Sequence, residues 1–155
     1  MSITEQYVFT RPFTKDDETN KCSTAVKERL DTVHNDPQVL ETSKKMLKLF
    51  LEKKECLVHG DLHTGSILVK DTDARIFDLE FSYIGPASFD VGMLLANLIF
   101  SYYRHMAIEE NNEDHREFAF LMVEACKIFG KEYIKVWIQN SSAYKFNSTW
   151  KPFCF

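Results

Sequence analysis

The chain has 155 residues and a formal net charge of −4, with 19 Lys and Arg against 23 Asp and Glu. Its basic residues are scattered and form no stripe, so a partner held by its phosphate backbone is not expected and nucleic acid drops out. A hydrophobic content of 45%, with 13 Phe, belongs to a chain with a packed core and not to a disordered segment.

The four cysteines, Cys22, Cys56, Cys126 and Cys154, are far apart and make no CxxC pair. That pattern fits reduced thiols better than a disulfide frame or a zinc site. The opening residues, Met1 to Gln6, carry no basic stretch followed by an apolar one, so no secretory signal is read. The longest apolar run, Val91 to Tyr103, is interrupted by Gly92, Asn97 and Ser101 and is too short to span a bilayer. A soluble, cytoplasmic protein without a membrane partner is expected, with residues 1–155 forming a single domain.

Taken in order, Tyr7-Val8-Phe9-Thr10-Arg11-Pro12-Phe13 reads as an extended aromatic segment stopped by proline. Residues 14–35 are polar and loop-like, with one helical turn near Ala25–Leu30. Asp36-Pro37 is a helix start: an N-cap followed by proline in the first turn. Val39, Leu40, Ser43, Met46, Leu47, Phe50 and Leu51 then keep the spacing of an amphipathic helix to about Lys54.

A denser stretch follows. Cys56-Leu57-Val58 reads as a short strand, His59 to Ser66 as a polar loop holding two glycines, and Ile67-Leu68-Val69 as a second strand. A turn at Asp71-Thr72-Asp73-Ala74 leads to a third strand, Arg75-Ile76-Phe77, ending on Asp78-Leu79-Glu80. Phe81 to Ser88 reads as irregular because it contains Gly85-Pro86. A helix from Phe89 or Asp90 to Arg104 is apolar on nearly every face and is expected to be the buried centre of the domain. Glu109–Asp114 is an acidic loop. A last helix has Phe118, Leu121, Met122, Ala125 and Phe129 on one face and continues or restarts past Gly130 through Trp137. Gln139 to Phe155 reads as irregular, and its apolar end looks like a chain cut before its packing partner.

The chemistry concentrates in the loop and the third strand. Asp61, flanked by Gly60 and by His59 and His63 at the end of an apolar strand, is placed to accept or orient the proton of an attacking hydroxyl. It could equally be a turn aspartate bonded to its own backbone. Asp78 and Glu80, two positions apart on an extended chain, would point the same way and reach one divalent cation, for which carboxylate oxygens suit Mg²⁺. The hairpin between them would return Asp78 alongside Asp61.

His59-Gly60-Asp61-Leu62-His63-Thr64-Gly65-Ser66 resembles the catalytic loop of aminoglycoside phosphotransferase-like and choline kinase-like enzymes, relatives of the protein kinases. Those usually carry Asn where Ser66 stands. The serine, the Asp78-Leu79-Glu80 triplet in place of Asp-Phe-Gly, and Phe81 to Pro86 after it resemble the 5-methylthioribose kinases in particular, as do residues 7–13 and Phe89 to Leu98. The resemblance implies an α+β fold, the mainly helical C-lobe of a protein-kinase-like fold whose small β-hairpin carries the catalytic and metal-binding loops. It implies phosphorylation of the 1-hydroxyl of 5-methylthioribose by Mg²⁺–ATP in methionine salvage, with ATP and the sugar as partners, and it allows a homodimer.

Carried over by residue, the resemblance makes Asp61 the catalytic base and the contact to the substrate hydroxyl. Asp78, Leu79 and Glu80 become the nucleotide-binding residues, with Asp78 and Glu80 as metal ligands. His59, His63 and Ser66 support the loop, and Asp90 braces it by accepting backbone hydrogen bonds, a role compatible with its being an N-cap.

Part of the family pattern has no counterpart. The five glycines, Gly60, Gly65, Gly85, Gly92 and Gly130, make no G-x-G-x-x-G, no Val-Ala-x-Lys strand precedes the loop, and no two arginines are adjacent. The N-lobe and the family's extreme C-terminus are therefore read as absent, with weak or no activity expected of the chain alone. Two other readings stay open here. Gly60-Asp61-Leu62-His63 could belong to a metallophosphoesterase, although no Gly-Asn-His run accompanies it. The chain could also be a non-catalytic, kinase-derived piece that binds a partner through the surface a missing lobe leaves bare.

Overall fold

The computed structural model describes residues 3–108 and 113–144. The chain divides into two compact units, Met1–Lys54 and Glu55–Phe155.

The first unit is helical. Helix α1, Thr24–His34, is followed by α2, Pro37–Glu52. As the sequence predicts, Asp36 caps α2: its Oδ1 accepts from the amides of Gln38 at 2.8 Å and Val39 at 3.3 Å, with Pro37 in the first turn. Helix α1 is longer than the single turn expected. Val26, Leu30 and Val33 carry the i, i+4, i+7 signal, which the polar residues around them obscure.

The expected extended segment at residues 7–13 is instead wound. Glu5–Thr10 is π-helical and Arg11–Phe13 a 3-10 turn. Aromatic and β-branched content favours strands, but local bonding and packing win here. Thr10 Oγ1 donates to the Glu5 carbonyl at 2.9 Å, and the Phe9 ring lies 4.9 Å from that of Phe50 on α2. Ser43, buried on α2, donates to the Phe9 carbonyl at 3.1 Å, so the one polar residue in that apolar stripe is satisfied.

The second unit holds two small antiparallel ladders and a helical hairpin. Strand β1, Cys56–Val58, leads into the polar loop, and β2, Ile67–Lys70, pairs with β3, Asp73–Ile76, through a two-residue connection at Asp71-Thr72. Asp71 takes a φ of 51°, the sign that tight hairpin turns favour and that Asp tolerates. The turn is thus shorter than expected, since Asp73 and Ala74 already pair with Lys70 and Val69.

Strand β4, Tyr83–Gly85, was not expected, because Gly85-Pro86 reads as irregular chain. It pairs with β1 in the register Cys56 with Gly85, Leu57 with Ile84 and Val58 with Tyr83. The proline ends the strand instead of preventing it. Val58, Cys56 and Ala87 form one buried cluster, with Tyr83 packed on it.

Helix α3, Ser88–Met106, packs against α4, Glu113–Tyr144. Helix α3 is not buried on every face: Leu94 and Leu98 are buried, whereas Phe100 is 69% and Tyr103 65% exposed. Helix α4 runs unbroken through Gly130 and past Gln139 to Tyr144. Its inward face is Ala119, Met122, Ala125, Cys126 and Phe129, while Phe118 and Leu121 are exposed, a rotation of the face read from periodicity. Glu109 to Asn112 and residues 145–155 lie outside the described residues. No described helix is long and apolar enough to cross a membrane.

Candidate active site

The site is built where β1 ends against α3. Val58 is fully buried and His59 is 1% exposed, so the strand delivers the loop into the interior before it turns out to solvent. Asp90, also buried, sits in the first turn of α3. Its Oδ2 accepts from the His59 amide at 2.5 Å and its Oδ1 from the Gly60 amide at 3.0 Å. Asp90 is not the N-cap, which is Ala87; its carboxylate is spent wholly on the loop. The turn at Gly60 requires glycine. Its φ is +89°, and a Cβ there would lie 2.2 Å from the Phe81 carbonyl oxygen.

His59 joins the loop to the segment that follows β3. Its Nδ1 accepts from the Asp61 amide at 3.3 Å, which leaves Nε2 to carry the proton and donate to the Phe77 carbonyl at 2.7 Å. The Phe77 amide in turn donates to the Ser66 carbonyl at 3.1 Å, and Ser82 Oγ donates to the His59 carbonyl at 3.3 Å. Phe77 and Phe81 flank Asp78–Glu80, and both meet the residues just before Asp61. These contacts bring the segment 77–82 against the loop that carries Asp61.

Asp61 and Asp78 both reach solvent. The Asp61 side chain is 46% exposed, and its Oδ2 lies 3.8 Å from Nε2 of His63. Among the described residues its carboxylate makes no hydrogen bond to the loop backbone, unlike an ordinary turn aspartate. Asp78, Leu79 and Glu80 are exposed. They are not on an extended chain, however. Asp78 is left-handed, with φ 71° and ψ 55°, and Leu79–Phe81 is a 3-10 turn, so strand alternation cannot be what aligns Asp78 with Glu80. Asp is one of the few residues that adopts this conformation readily, as Asp71 does in the hairpin turn.

The far end of the loop closes on itself. His63 Nδ1 accepts from the Gly65 amide at 3.0 Å, and the His63 amide donates to Ser66 Oγ at 3.1 Å. Ser66, 2% exposed, turns its hydroxyl to the His63 carbonyl at 2.9 Å, with the Asp61 carbonyl at 3.4 Å. That hydroxyl is spent inside the loop. Two residues the sequence reading passed over also bind here. Asn97 Oδ1 accepts from both the amide and the hydroxyl of Thr64, at 3.1 and 2.6 Å, and Glu55 Oε2 accepts from the Ala87 amide at 3.1 Å. The signal for Asn97 was available: it is a polar residue inside the apolar run of α3.

Among the described residues no group of three or more metal-ligating side chains converges. Two exposed carboxylates nonetheless suit Mg²⁺, which takes one or two from protein and the rest from phosphate and water. A surface concavity on the opening turns of α4, lined by Glu113, Arg116, Glu117 and Phe120, contains none of these residues. Under the site, burial pushes the Tyr83 phenol above its ordinary range, and the Asp90 charge and then Cys56 add to the rise.

Comparison with known proteins gives the chain a family. Residues 9–121 match the model of the phosphotransferase enzyme family. The chain belongs to that family. Within it, the chain is similar to methylthioribose kinases: 35% identical to that of Bacillus pumilus over 139 residues, covering 90% of this chain and 34% of the relative. The Escherichia coli protein is 30% identical over 139 residues, 87% of this chain and 33% of its own length. The Exiguobacterium sibiricum protein is 41% identical over 101 residues, 65% of this chain and 26% of its own. The chain thus spans about a third of the length of the curated phosphotransferase relatives it matches.

Proposed function

We propose that this chain carries the phosphotransfer residues of an ATP-dependent sugar kinase that forms 5-methylthioribose 1-phosphate from 5-methylthioribose in methionine salvage. Asp61 binds the 1-hydroxyl of the sugar and takes its proton as the γ-phosphoryl is transferred in line. Asp78 and Glu80 hold the magnesium bound to the triphosphate, and Leu79 lies on the nucleotide side between them. Magnesium, when bound, neutralises the phosphate charge that builds up during transfer. His59, His63, Ser66 and Asp90 keep the loop in shape. This reading carries with it a cytoplasmic location, allows a homodimer as in the family, and includes no nucleic-acid or membrane partner.

The observation that supports it most is the stitching of Phe77 to His59 and Ser66, which ties the segment bearing Asp78 to the loop bearing Asp61. Positioning of that kind is most of what phosphoryl transfer requires of a protein. Because the sequence has no G-x-G-x-x-G and no Val-Ala-x-Lys strand ahead of the loop, the chain alone is proposed to turn over slowly or not at all.

The test is a segment exchange. Residues 56–106 replace the matching segment of the Bacillus pumilus methylthioribose kinase, and ADP release is followed with 5-methylthioribose, ATP and Mg²⁺. Activity that survives the exchange and disappears with Asp61→Asn supports the reading. A folded exchange enzyme without activity, or one indifferent to Asp61→Asn, overturns it.

A further inference from the structure

We infer that Asn97 is a positioning residue for Asp61, acting through Thr64 and His63; the inference rests on the proposed role of Asp61 in phosphotransfer. The loop is fastened to one face of α3 at three heights. At the first turn, Asp90 takes the amides of His59 and Gly60. In the middle, Leu62 is buried against Leu94 and Leu98. At the third turn, Asn97 takes both the amide and the hydroxyl of Thr64.

Asp90 and Asn97 are seven residues apart, which on an α-helix is about two turns, or roughly 10 Å, along the same face. A helix of this kind is a rigid ruler. It sets the distance between the two ends of the loop, and Asp61 lies between the two polar fastenings. Without Asn97, the polar fastening at the C-terminal end of the loop is lost, leaving the Asp90 bonds and the apolar packing of Leu62 and Ile67 on α3.

What Asn97 fixes is the start of the Thr64–Ser66 turn. That turn is where the Gly65 amide meets Nδ1 of His63, and this contact orients the His63 ring. The other nitrogen of the same ring lies 3.8 Å from Asp61 Oδ2. The chain of contacts therefore runs from Asn97 to Thr64, through the turn to the His63 ring, and on to the carboxylate. Asn97 touches neither the carboxylate nor any reacting atom, so its effect is on where Asp61 points.

The chemistry at Asn97 gives a clean rescue. Both bonds fall on one acceptor oxygen, so aspartate can make them and alanine cannot. The full chain is prepared as wild type, Asn97→Ala and Asn97→Asp, and amide hydrogen exchange is followed at Thr64 and Gly65. Asn97→Ala should speed exchange at both by about tenfold or more, and Asn97→Asp should hold it within about threefold of wild type.

The same variants in the exchanged enzyme should separate rate from binding. Asn97→Ala should lower kcat by about tenfold with KM for ATP unchanged, and Asn97→Asp should restore kcat. Unchanged amide exchange in Asn97→Ala, an Asn97→Asp as damaged as alanine, or a rise in KM with kcat intact each overturns the inference. If the exchanged enzyme with Asn97 in place is inactive, the kinase reading has failed, and the amide exchange still decides whether Asn97 holds the loop.

Discussion

Asp90 is where the fold and the proposed site meet most tightly, and the cost of altering it follows from its contacts. One carboxylate accepts from two consecutive amides, at 2.5 and 3.0 Å, beside a histidine only 1% exposed. Hydrogen bonds to a charged group contribute about 1.5–3 kcal/mol each, and an amide left unpaired where water has little access costs a similar amount. Asp90→Ala abandons both amides, so a loss of about 3–6 kcal/mol is expected. Asp90→Asn keeps one acceptor oxygen but turns an NH₂ group towards the other amide, for a loss of about 2–3 kcal/mol. Urea unfolding of the 155-residue chain, followed by circular dichroism at 25 °C, measures both. Since a small domain has only about 5–15 kcal/mol in hand, the alanine variant can fail to fold, and the asparagine variant then carries the test. A loss below about 0.5 kcal/mol for Asp90→Asn, or equal losses for the two, would refute the two-amide account.

Three further outcomes are expected. Gly60→Ala places a Cβ 2.2 Å from a backbone oxygen at a φ of +89°, so a loss above about 3 kcal/mol, read as a fall in Tm, is predicted. Asp78→Gly relieves a left-handed aspartate and should leave stability unchanged or raise it by about 1 kcal/mol, while removing Mg²⁺-dependent ADP release in the exchanged enzyme. The phenol of Tyr83 keeps its proton in the folded chain to higher pH than in the unfolded chain. Above about pH 10 the unfolded state therefore binds fewer protons, and stability falls as pH rises. Tyr83→Phe should flatten that fall in urea titrations between about pH 9 and 11, and Asp90→Asn should move the Tyr83 titration to lower pH.

Much of this was legible in the sequence where one residue type has one job. Asp36-Pro37 marks the start of α2, and the Gly60-Asp61 pair with Asp78-Leu79-Glu80 marks the candidate site. Misreadings arose where distant partners outweigh local preference. The Tyr7–Phe13 stretch has strand-forming residues, but Phe9 meets Ser43 and Phe50, both distant in the sequence, and the chain winds to reach them. Strand β4 exists because β1 supplies its partner, which no local pattern around Gly85-Pro86 could show. The alternation placed on Asp78 and Glu80 failed because the strand stops at Ile76 and the backbone turns left-handed two residues on. Asn97 stands out in the sequence only as an interruption of the apolar run; that it asks for a partner is general, but that the partner is Thr64 depends on the fold.

The central claim is that Asp61 and the Asp78–Glu80 turn share one metal–nucleotide site, and paramagnetic broadening by Mn²⁺–ATP tests it on the intact chain even at weak affinity. With ¹⁵N-labelled protein, the amides of residues 60–62 and 77–80 should broaden first as Mn²⁺–ATP is added, and Asp78→Asn should suppress the effect at both segments. Broadening confined to the acidic first turn of α4 at Glu113 and Asp114, with residues 60–62 and 77–80 untouched, would contradict it.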